Sequence, residues 1–431
     1  MNEIQNNQWI AHYRTDQPHF GLERMVELLA LRGNPHLKLK VIHIGGTNGK
    51  GSTIAFLKKM LEKLGLRVGV FSSPYLIHYT DQISINGESI PEARLEALMA
   101  DYQSLLEGES ADNLQGTTEF EIITALAYDY FASEQVDVAI MEVGMGGLLD
   151  STNVCQPILT GITTIGLDHV ALLGDTLEAI AEQKAGIIKE RVPLVTGKIS
   201  SEALAVIHTI AQQHQASHVC YGKDYQVESV QRLAEGEKFR FSNAFRQKEG
   251  YQSALLGVHQ VENAGLALEL CDQYCYLKGL PLLSENEVRR ALKQTYWPAR
   301  LEKIINAPLI LLDGAHNPHA MKALIASLES YFPDYQKHIL FSCIQTKALD
   351  EMVALLKTVS KSQLFLTTFE DSRSFSTEEM QGLAKREKLA YVEWLPYLEQ
   401  YKKVKHGEKE LLLITGSLYF LANVRKYLIS D

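Results

Sequence analysis

The chain has 431 residues, of which 46% are hydrophobic and 22% charged, and its formal net charge at pH 7 is -10. This length exceeds what one hydrophobic core usually serves and predicts two domains, while the excess of acid argues against a nucleic-acid backbone as partner. No run approaches the roughly 18 consecutive apolar residues of a membrane span, and residues 1–9 lack the basic-then-apolar order of a signal peptide, so a cytoplasmic protein without a membrane partner is expected.

In chain order, residues 39–44 read as a strand and 50–64 as a helix with Phe56, Leu57, Met60, Leu61 and Leu64 as its apolar positions; 67–71 read as the next strand. Helix patterns at 91–106 and 119–131 precede a strand within 136–143, followed by a strand at 156–165, a helix at 176–188 and a strand at 192–196. This order predicts βαβ units in a largely parallel sheet. The more polar stretch 225–254 reads as short antiparallel strands, and 259–276 as a helix. A second alternating series runs through strands at 309–312, 338–341, 364–367 and 411–414, with helices at 319–332, 349–359, 378–384 and 418–427. Between the two series, Trp297-Pro298-Ala299-Arg300 marks the hinge, because proline restrains the backbone there. The expected domains are 1–296 and 297–431. The five cysteines, at 155, 220, 271, 275 and 343, form neither a disulfide framework nor a pair of CxxC knuckles and read as reduced structural thiols.

The most informative segment is Gly45-Gly46-Thr47-Asn48-Gly49-Lys50-Gly51-Ser52, between a buried strand and a helix. Glycines allow backbone N–H groups to approach phosphate oxygens, Lys50 adds a mobile positive charge, and Ser52 offers a hydroxyl at the positive end of the helix dipole. Its spacing departs from the GxxxxGK[ST] phosphate loop, and a turn that merely opens a helix is the alternative reading. A dinucleotide site is disfavoured, since GxGxxG is lacking.

An acid at the C-terminal end of a buried strand can reach a ligand, so Glu142 suits a magnesium-holding role, with a solvated loop acid as the alternative. Asp137, near the start of the same strand, reads as a surface or capping residue. Asp168-His169 follows the next strand, where the acid could orient the imidazole. Lys184, inside a predicted helix, reads either as a surface lysine or as a stabiliser of a phosphorylated substrate. In the second series, Asp313 and His316 lie on a strand-to-helix turn, where they suit ribose or phosphate orientation and substrate contact, with Arg300 just past the hinge.

The phosphate loop, Glu142-Val143-Gly144-Met145-Gly146-Gly147, Leu167-Asp168-His169, Trp297-Pro298-Ala299-Arg300-Leu301-Glu302, Asp313-Gly314-Ala315-His316-Asn317-Pro318 and Gly416-Ser417-Leu418-Tyr419-Phe420 jointly resemble the folylpolyglutamate synthase / dihydrofolate synthase family of the Mur ligase superfamily. The resemblance implies an α/β chain: a Mur-ligase-like phosphate-loop ATPase and folate-binding domain with a parallel-rich sheet, and a smaller Rossmann-like glutamate-ligase domain. It also implies a monomer that uses ATP and Mg2+ to join L-glutamate to the γ-carboxylate of folate or folylpolyglutamate through an acyl phosphate. Dihydropteroate is a further candidate substrate, and a monovalent cation a further candidate ligand.

Carried onto this chain, the family pattern assigns Gly46, Thr47, Asn48, Gly49, Lys50, Gly51, Ser52, Asn263, Arg300 and Asp313 to the nucleotide, and Ser73, Glu142 and His169 to the metal. His316 and Ser417 fall to the incoming glutamate. Lys50, Lys184 and His316 are the catalytic set, and Lys184 matches the lysine that is carbamylated in the family. Three positions depart from the pattern: Tyr75 stands where histidine is common, Asp81-Gln82-Ile83 replaces Glu-Arg-Ile, and Leu148 stands where arginine follows the double glycine. These departures bear on substrate choice. The alternatives are a bifunctional dihydrofolate synthase/folylpolyglutamate synthase, a Mur-type cell-wall ligase and a non-catalytic nucleotide-binding protein.

Overall fold

The computed structural model describes residues 9–15, 21–74, 78–108, 111–247, 249–345 and 348–430. Two compact units emerge: Met1–Glu228 with Arg240–Tyr251 and Glu262–Gln294, and Ser229–Phe239 with Gln252–Val261 and Thr295–Asp431. Both units are discontinuous in sequence.

The first unit is built on an eight-stranded sheet. Its strands are β1 (Val41–Gly45), β2 (Val68–Phe71), β3 (Ile83–Ile85), β4 (Glu88–Ser89), β5 (Val138–Glu142), β6 (Pro157–Ile162), β7 (Leu194–Thr196) and β8 (His218–Cys220), in the order β4-β3-β2-β5-β1-β6-β7-β8. From β2 to β8 across the sheet all pairings are parallel, and β3 and β4 add an antiparallel edge. Every residue of β1, β2 and β5 is buried, as a parallel sheet covered on both faces requires. One core packs the helices Glu92–Leu106 and Glu119–Ser133 through Leu95, Tyr102, Ile122, Leu126 and Phe131. A second packs Leu177–Ala185 and Ser201–Gln213 through Ile180, Ala181, Ala203 and Ile207.

From β1 the chain turns back toward β2 on one side, and from β6 it goes to β7 on the other. The C-terminal ends of β1 and β6 therefore form a topological switch point, where α/β sheets open a ligand crevice.

The second unit carries a six-stranded sheet of β12 (Glu302–Asn306), β13 (Leu309–Asp313), β14 (Gln336–Phe341), β15 (Ser362–Leu366), β16 (Ala390–Tyr391) and β17 (Glu410–Thr415), ordered β12-β13-β17-β14-β15-β16. Only β12 runs antiparallel to its neighbour. Met321, Leu324 and Leu328 of the helix Pro318–Tyr331 and Met352, Val353 and Leu356 of Leu349–Leu356 pack on it. A separate three-stranded sheet, ordered β11-β10-β9, is formed by β9 (Gln226–Leu233), β10 (Gly236–Ser242) and β11 (Glu249–Ser253). The α/β architecture expected from the resemblance, with a smaller C-terminal α/β domain, is what the structure has.

Several expected boundaries move. The strand expected over 156–165 stops at Ile162, because the following backbone is taken up by the phosphate loop. The helix expected over 176–188 runs Leu177–Ala185; Thr176 caps it by accepting a hydrogen bond from Ala179 N at 3.1 Å, and Gly186 follows its last turn. Asp137 holds neighbouring strand starts together, its Oδ2 accepting from Arg67 N at 2.7 Å. All five cysteines are buried and free. Among the described residues no helix is long and apolar enough to cross a membrane.

Candidate active site

At the end of β1 the chain turns on Gly46 and Gly49, with φ of 138° and 86°, and the helix Lys50–Lys63 begins. These glycines are sterically required. A Cβ at Gly46 would collide with Thr163 Oγ1, and one at Gly49 with Asn263 Oδ1. Residues just past β6 fasten the loop. Thr47 N donates to Thr164 O at 2.8 Å and Asn48 N to Thr164 Oγ1 at 3.0 Å, while the Thr163 and Thr164 hydroxyls donate to Asn48 O at 2.6 and 3.1 Å. Thr47 Oγ1 donates to Gly166 O at 3.1 Å and accepts from Gly166 N at 3.0 Å.

No side chain caps the helix, whose hydrogen-bond ladder starts with Thr53 N donating to Gly49 O at 2.9 Å, so the N–H groups of Lys50, Gly51 and Ser52 precede it. Lys50 Nζ donates to Gly46 O at 3.2 Å and lies 4.0 Å from Glu142 Oε1. Ser52 Oγ is buried and has no hydrogen-bond partner among the described residues. An uncapped helix N-terminus, a lysine and a buried hydroxyl awaiting an acceptor or donor together fit a phosphate group.

Glu142, the last residue of β5, is buried, which removes the reading of a solvated loop acid. Lys184 sits in the last turn of Leu177–Ala185 with only 6% of its surface exposed, so it is not a surface lysine. Burial pushes its amine down to about 7; Lys50 pushes the same way, and Asp168 and Asp150 oppose. His169 takes a left-handed conformation with φ of 51°, and Asp168 Oδ1 accepts from its backbone N at 3.0 Å while lying 3.9 Å from its Nε2. Asp168 thus fixes the turn more directly than the imidazole. Ser73 stands two residues past β2, whose Phe71 pairs with Met141 of β5. Among the described residues no three His, Cys, Asp or Glu side chains are arranged to hold a metal ion. A magnesium ion held by Glu142 with Ser73 and His169 would draw its remaining donors from ligand oxygens, in keeping with that ion's use of one or two carboxylates plus phosphates.

In the second unit Asp313 ends β13. Both its carboxylate oxygens bind backbone: Oδ2 accepts from Leu301 N and Oδ1 from Ala315 N, each at 2.9 Å. Burial pushes its pKa up, and Arg300 and these N–H groups oppose the shift. Arg300 Nη1 donates to Ala299 O at 2.8 Å, and His316 Nδ1 lies 2.7 Å from Gly314 O. Asp313 pairs with Thr415 at the end of β17, which sets the His316 turn beside the Ser417 turn. Tyr75 lies outside the described residues. Gln82 is buried, its Oε1 without a hydrogen-bond partner among the described residues, whereas Leu148 is 43% exposed.

The sequence reading missed Thr163 and Thr164, counted as strand, and Asp150 and Asn153. Two hydroxyl residues directly after a strand paired with the glycine loop were the available signal.

A phosphate loop at the switch point of a parallel sheet, joined to a second α/β unit, defines the Mur-ligase class. The Mur ligase middle domain matches residues 44–271, and the Mur ligase glutamate ligase domain matches 299–418. The chain is 36% identical over 409 residues to the dihydrofolate synthase/folylpolyglutamate synthase of Bacillus subtilis, covering 95% of each chain. Its structure resembles the folylpolyglutamate synthase of Thermotoga maritima with a TM-score of 0.85 at 32% identity over 99% and 96% of the two chains. It also resembles the Mycobacterium tuberculosis folylpolyglutamate synthase complexed with ADP, with a TM-score of 0.88 at 27% identity over 99% and 98%. The chain belongs to the folylpolyglutamate/dihydrofolate synthase family of the Mur ligase superfamily.

Proposed function

We propose that this chain catalyses the ATP-dependent addition of L-glutamate to the γ-carboxylate of folate glutamates. The observation that carries the reading is the clustering of Lys50, Glu142 and a buried Lys184 around an uncapped helix N-terminus. The folate carboxylate oxygen attacks the γ-phosphorus, the bond to ADP breaks, and an acyl phosphate forms. The amine of glutamate then attacks the acyl carbon; the amide bond forms, phosphate leaves and the amine proton is released. Lys50 and the loop N–H groups hold the phosphates and oppose the charge that builds on the transferred group. Ser73, Glu142 and His169 would hold Mg2+, which supplies further neutralisation of phosphate charge. Arg300, Asp313 and Asn263 serve the nucleotide, and His316 and Ser417 the incoming glutamate.

Lys184 would carry a carbamate, turning a cation into a carboxylate-like group. Addition of carbon dioxide needs the neutral amine, and burial, which lowers the Lys184 pKa to about 7, favours that form far more than in an exposed lysine. With 13C-bicarbonate, NMR is expected to show a carbamate signal that grows through about pH 7 and is lost in Lys184→Ala; a rise only near pH 10 would remove this role.

A purified-protein assay with ATP, Mg2+ and L-glutamate tests the function, comparing reduced folate mono- and diglutamates with dihydropteroate. Extension of the folates with release of ADP and phosphate is expected. The name of the B. subtilis relative favours a second reading, in which dihydropteroate is also ligated; formation of dihydrofolate would establish it. Ligation of a cell-wall precursor instead, or ATP binding without product, would overturn both.

A further inference from the structure

The loop after Glu142 and the helix that carries Lys184 are joined by buried polar contacts outside the phosphate loop. Asp150 is buried, and its carboxylate accepts hydrogen bonds from Met145 N at 2.8 Å, from Thr152 N at 3.0 Å and from the Thr152 hydroxyl. These bonds draw residues 144–150 into a closed turn. Asn153 then bridges two segments: its Nδ2 donates to Leu148 O at 2.9 Å and to Gly186 O at 3.1 Å. From the loop, Leu148 N donates to Gln183 O at 2.8 Å.

The helix needs these donors. The last carbonyls of a helix have no partner inside it, and a nine-residue helix is short enough for an unheld end to fray. Leu148 N and Asn153 Nδ2 bind carbonyls on either side of Lys184. The approach is close: a Cβ at Gly147 would stand 2.9 Å from Lys184 O, and one at Gly186 would collide with Leu148. The clamp is itself anchored. His43 Nε2 on β1 lies 2.8 Å from Thr152 Oγ1, Tyr128 donates to Thr152 O at 2.7 Å, and Lys189 Nζ donates to Asn153 O at 3.2 Å. Because the Thr152 hydroxyl donates to Asp150, it accepts from His43, which places the imidazole proton on Nε2.

We infer that Asp150 and Asn153 are positioning residues, which fix the 144–150 loop against the last turn of Leu177–Ala185 and so hold Lys184 in place for the transfer step. The inference rests on the ligase reading for its catalytic consequence and on the contacts alone for its structural one.

The test uses Asn153→Ala and the near-isosteric Thr152→Val, which removes one hydroxyl. In Asn153→Ala, kcat per folded molecule is expected to fall at least tenfold with KM for ATP within twofold, because Thr163 and Thr164 fasten the phosphate loop independently. Thr152→Val is expected to lower kcat about threefold. Hydrogen exchange, read without turnover, is expected to quicken at residues 183–188 in Asn153→Ala and stay unchanged at 53–60. A purely structural role would lower thermal stability and leave kcat per folded molecule intact, and that result overturns the inference. Unchanged exchange at 183–188, or KM for ATP rising in step with the loss of turnover, does the same. If Asn153→Ala does not fold, Thr152→Val decides by the same two readouts. A wild-type protein that forms no glutamyl amide would sink the ligase reading, while exchange still judges the clamp.

Discussion

Two strand-to-helix turns in this chain solve the same problem in opposite ways. After β1 the helix Lys50–Lys63 begins without a side-chain cap, and its turn is fastened from outside by Thr163 and Thr164. After β13 the helix Pro318–Tyr331 is capped by its own Asn317, whose Oδ1 accepts from Ala320 N at 2.8 Å, and Asp313 ties the turn to Leu301 and Ala315. A helix end whose N–H groups already face a side-chain oxygen has less to offer an anion. The uncapped end at Gly49 is the better suited to hold a phosphate, whereas at the capped end any ligand contact falls to side chains such as His316.

The sharpest way to break this contrast is Lys50→Ala. Loss of the cation beside the uncapped end is expected to lower kcat/KM at least ~100-fold, in line with removal of one transition-state donor. Steady-state kinetics with ATP varied from below to above its KM measure it, and a loss of only a few-fold would end the assignment of the phosphate site to this loop. Asp313→Ala comes next. Leaving two buried N–H groups without acceptors costs roughly 2–4 kcal/mol, read as a lower denaturation midpoint; undiminished stability would mean that Asp313 serves ligand alone.

Acid separates the two regions by sign. Burial holds His43 down to about 3, with Lys189 adding to the effect, so the unfolded chain takes up this proton near pH 6.5 while the folded chain resists. Stability from His43 is therefore complete above pH 6.5 and lost as pH falls toward 3, on the order of a few kcal/mol. Asp313, with its pKa raised, acts in the opposite sense: its contribution is present below 3.8 and fades as pH rises through the folded value. Urea midpoints from pH 7 to 4 should fall in the wild type and fall less in His43→Gln. Equal slopes would show that His43 does not control the transition. The smallest effect belongs to Asn317→Ala, expected to cost about 1 kcal/mol of stability as a lost cap while lowering turnover no more than a few-fold. A large loss of turnover at unchanged stability would show that the Asn317 cap also positions His316 for the chemistry.

Much of this was legible in the residues, and the failures have physical causes. The β1-loop-helix unit was found to within two residues because buried β-branched residues, glycines and a 3.6-residue apolar period agree there. The polar stretch read as short strands does hold β9, β10 and β11. Trp394–Lys403 lies outside the expected elements; its Pro396 stands in the first helical turn, where no intrahelical N–H bond is needed. The helices Ser201–Gln213 and Glu285–Gln294 were passed over without a loop motif to draw attention to them. The charged site residues stood out by type, whereas Thr163, Thr164, Asp150 and Asn153 act through backbone contacts with distant segments, which pattern reading does not reveal.

The buried hydroxyl of Ser52 stands in the first turn of Lys50–Lys63, where a bound phosphate would meet it. A phosphate oxygen beside it would complete a hydrogen bond worth about 1 kcal/mol to the nucleotide-bound state. Ser52→Ala should therefore weaken nucleotide binding. ATP should in turn stabilise the wild type more than the variant. The hydroxyl would then be matched to the filled site, its hydrogen bond completed by the nucleotide and not by the fold.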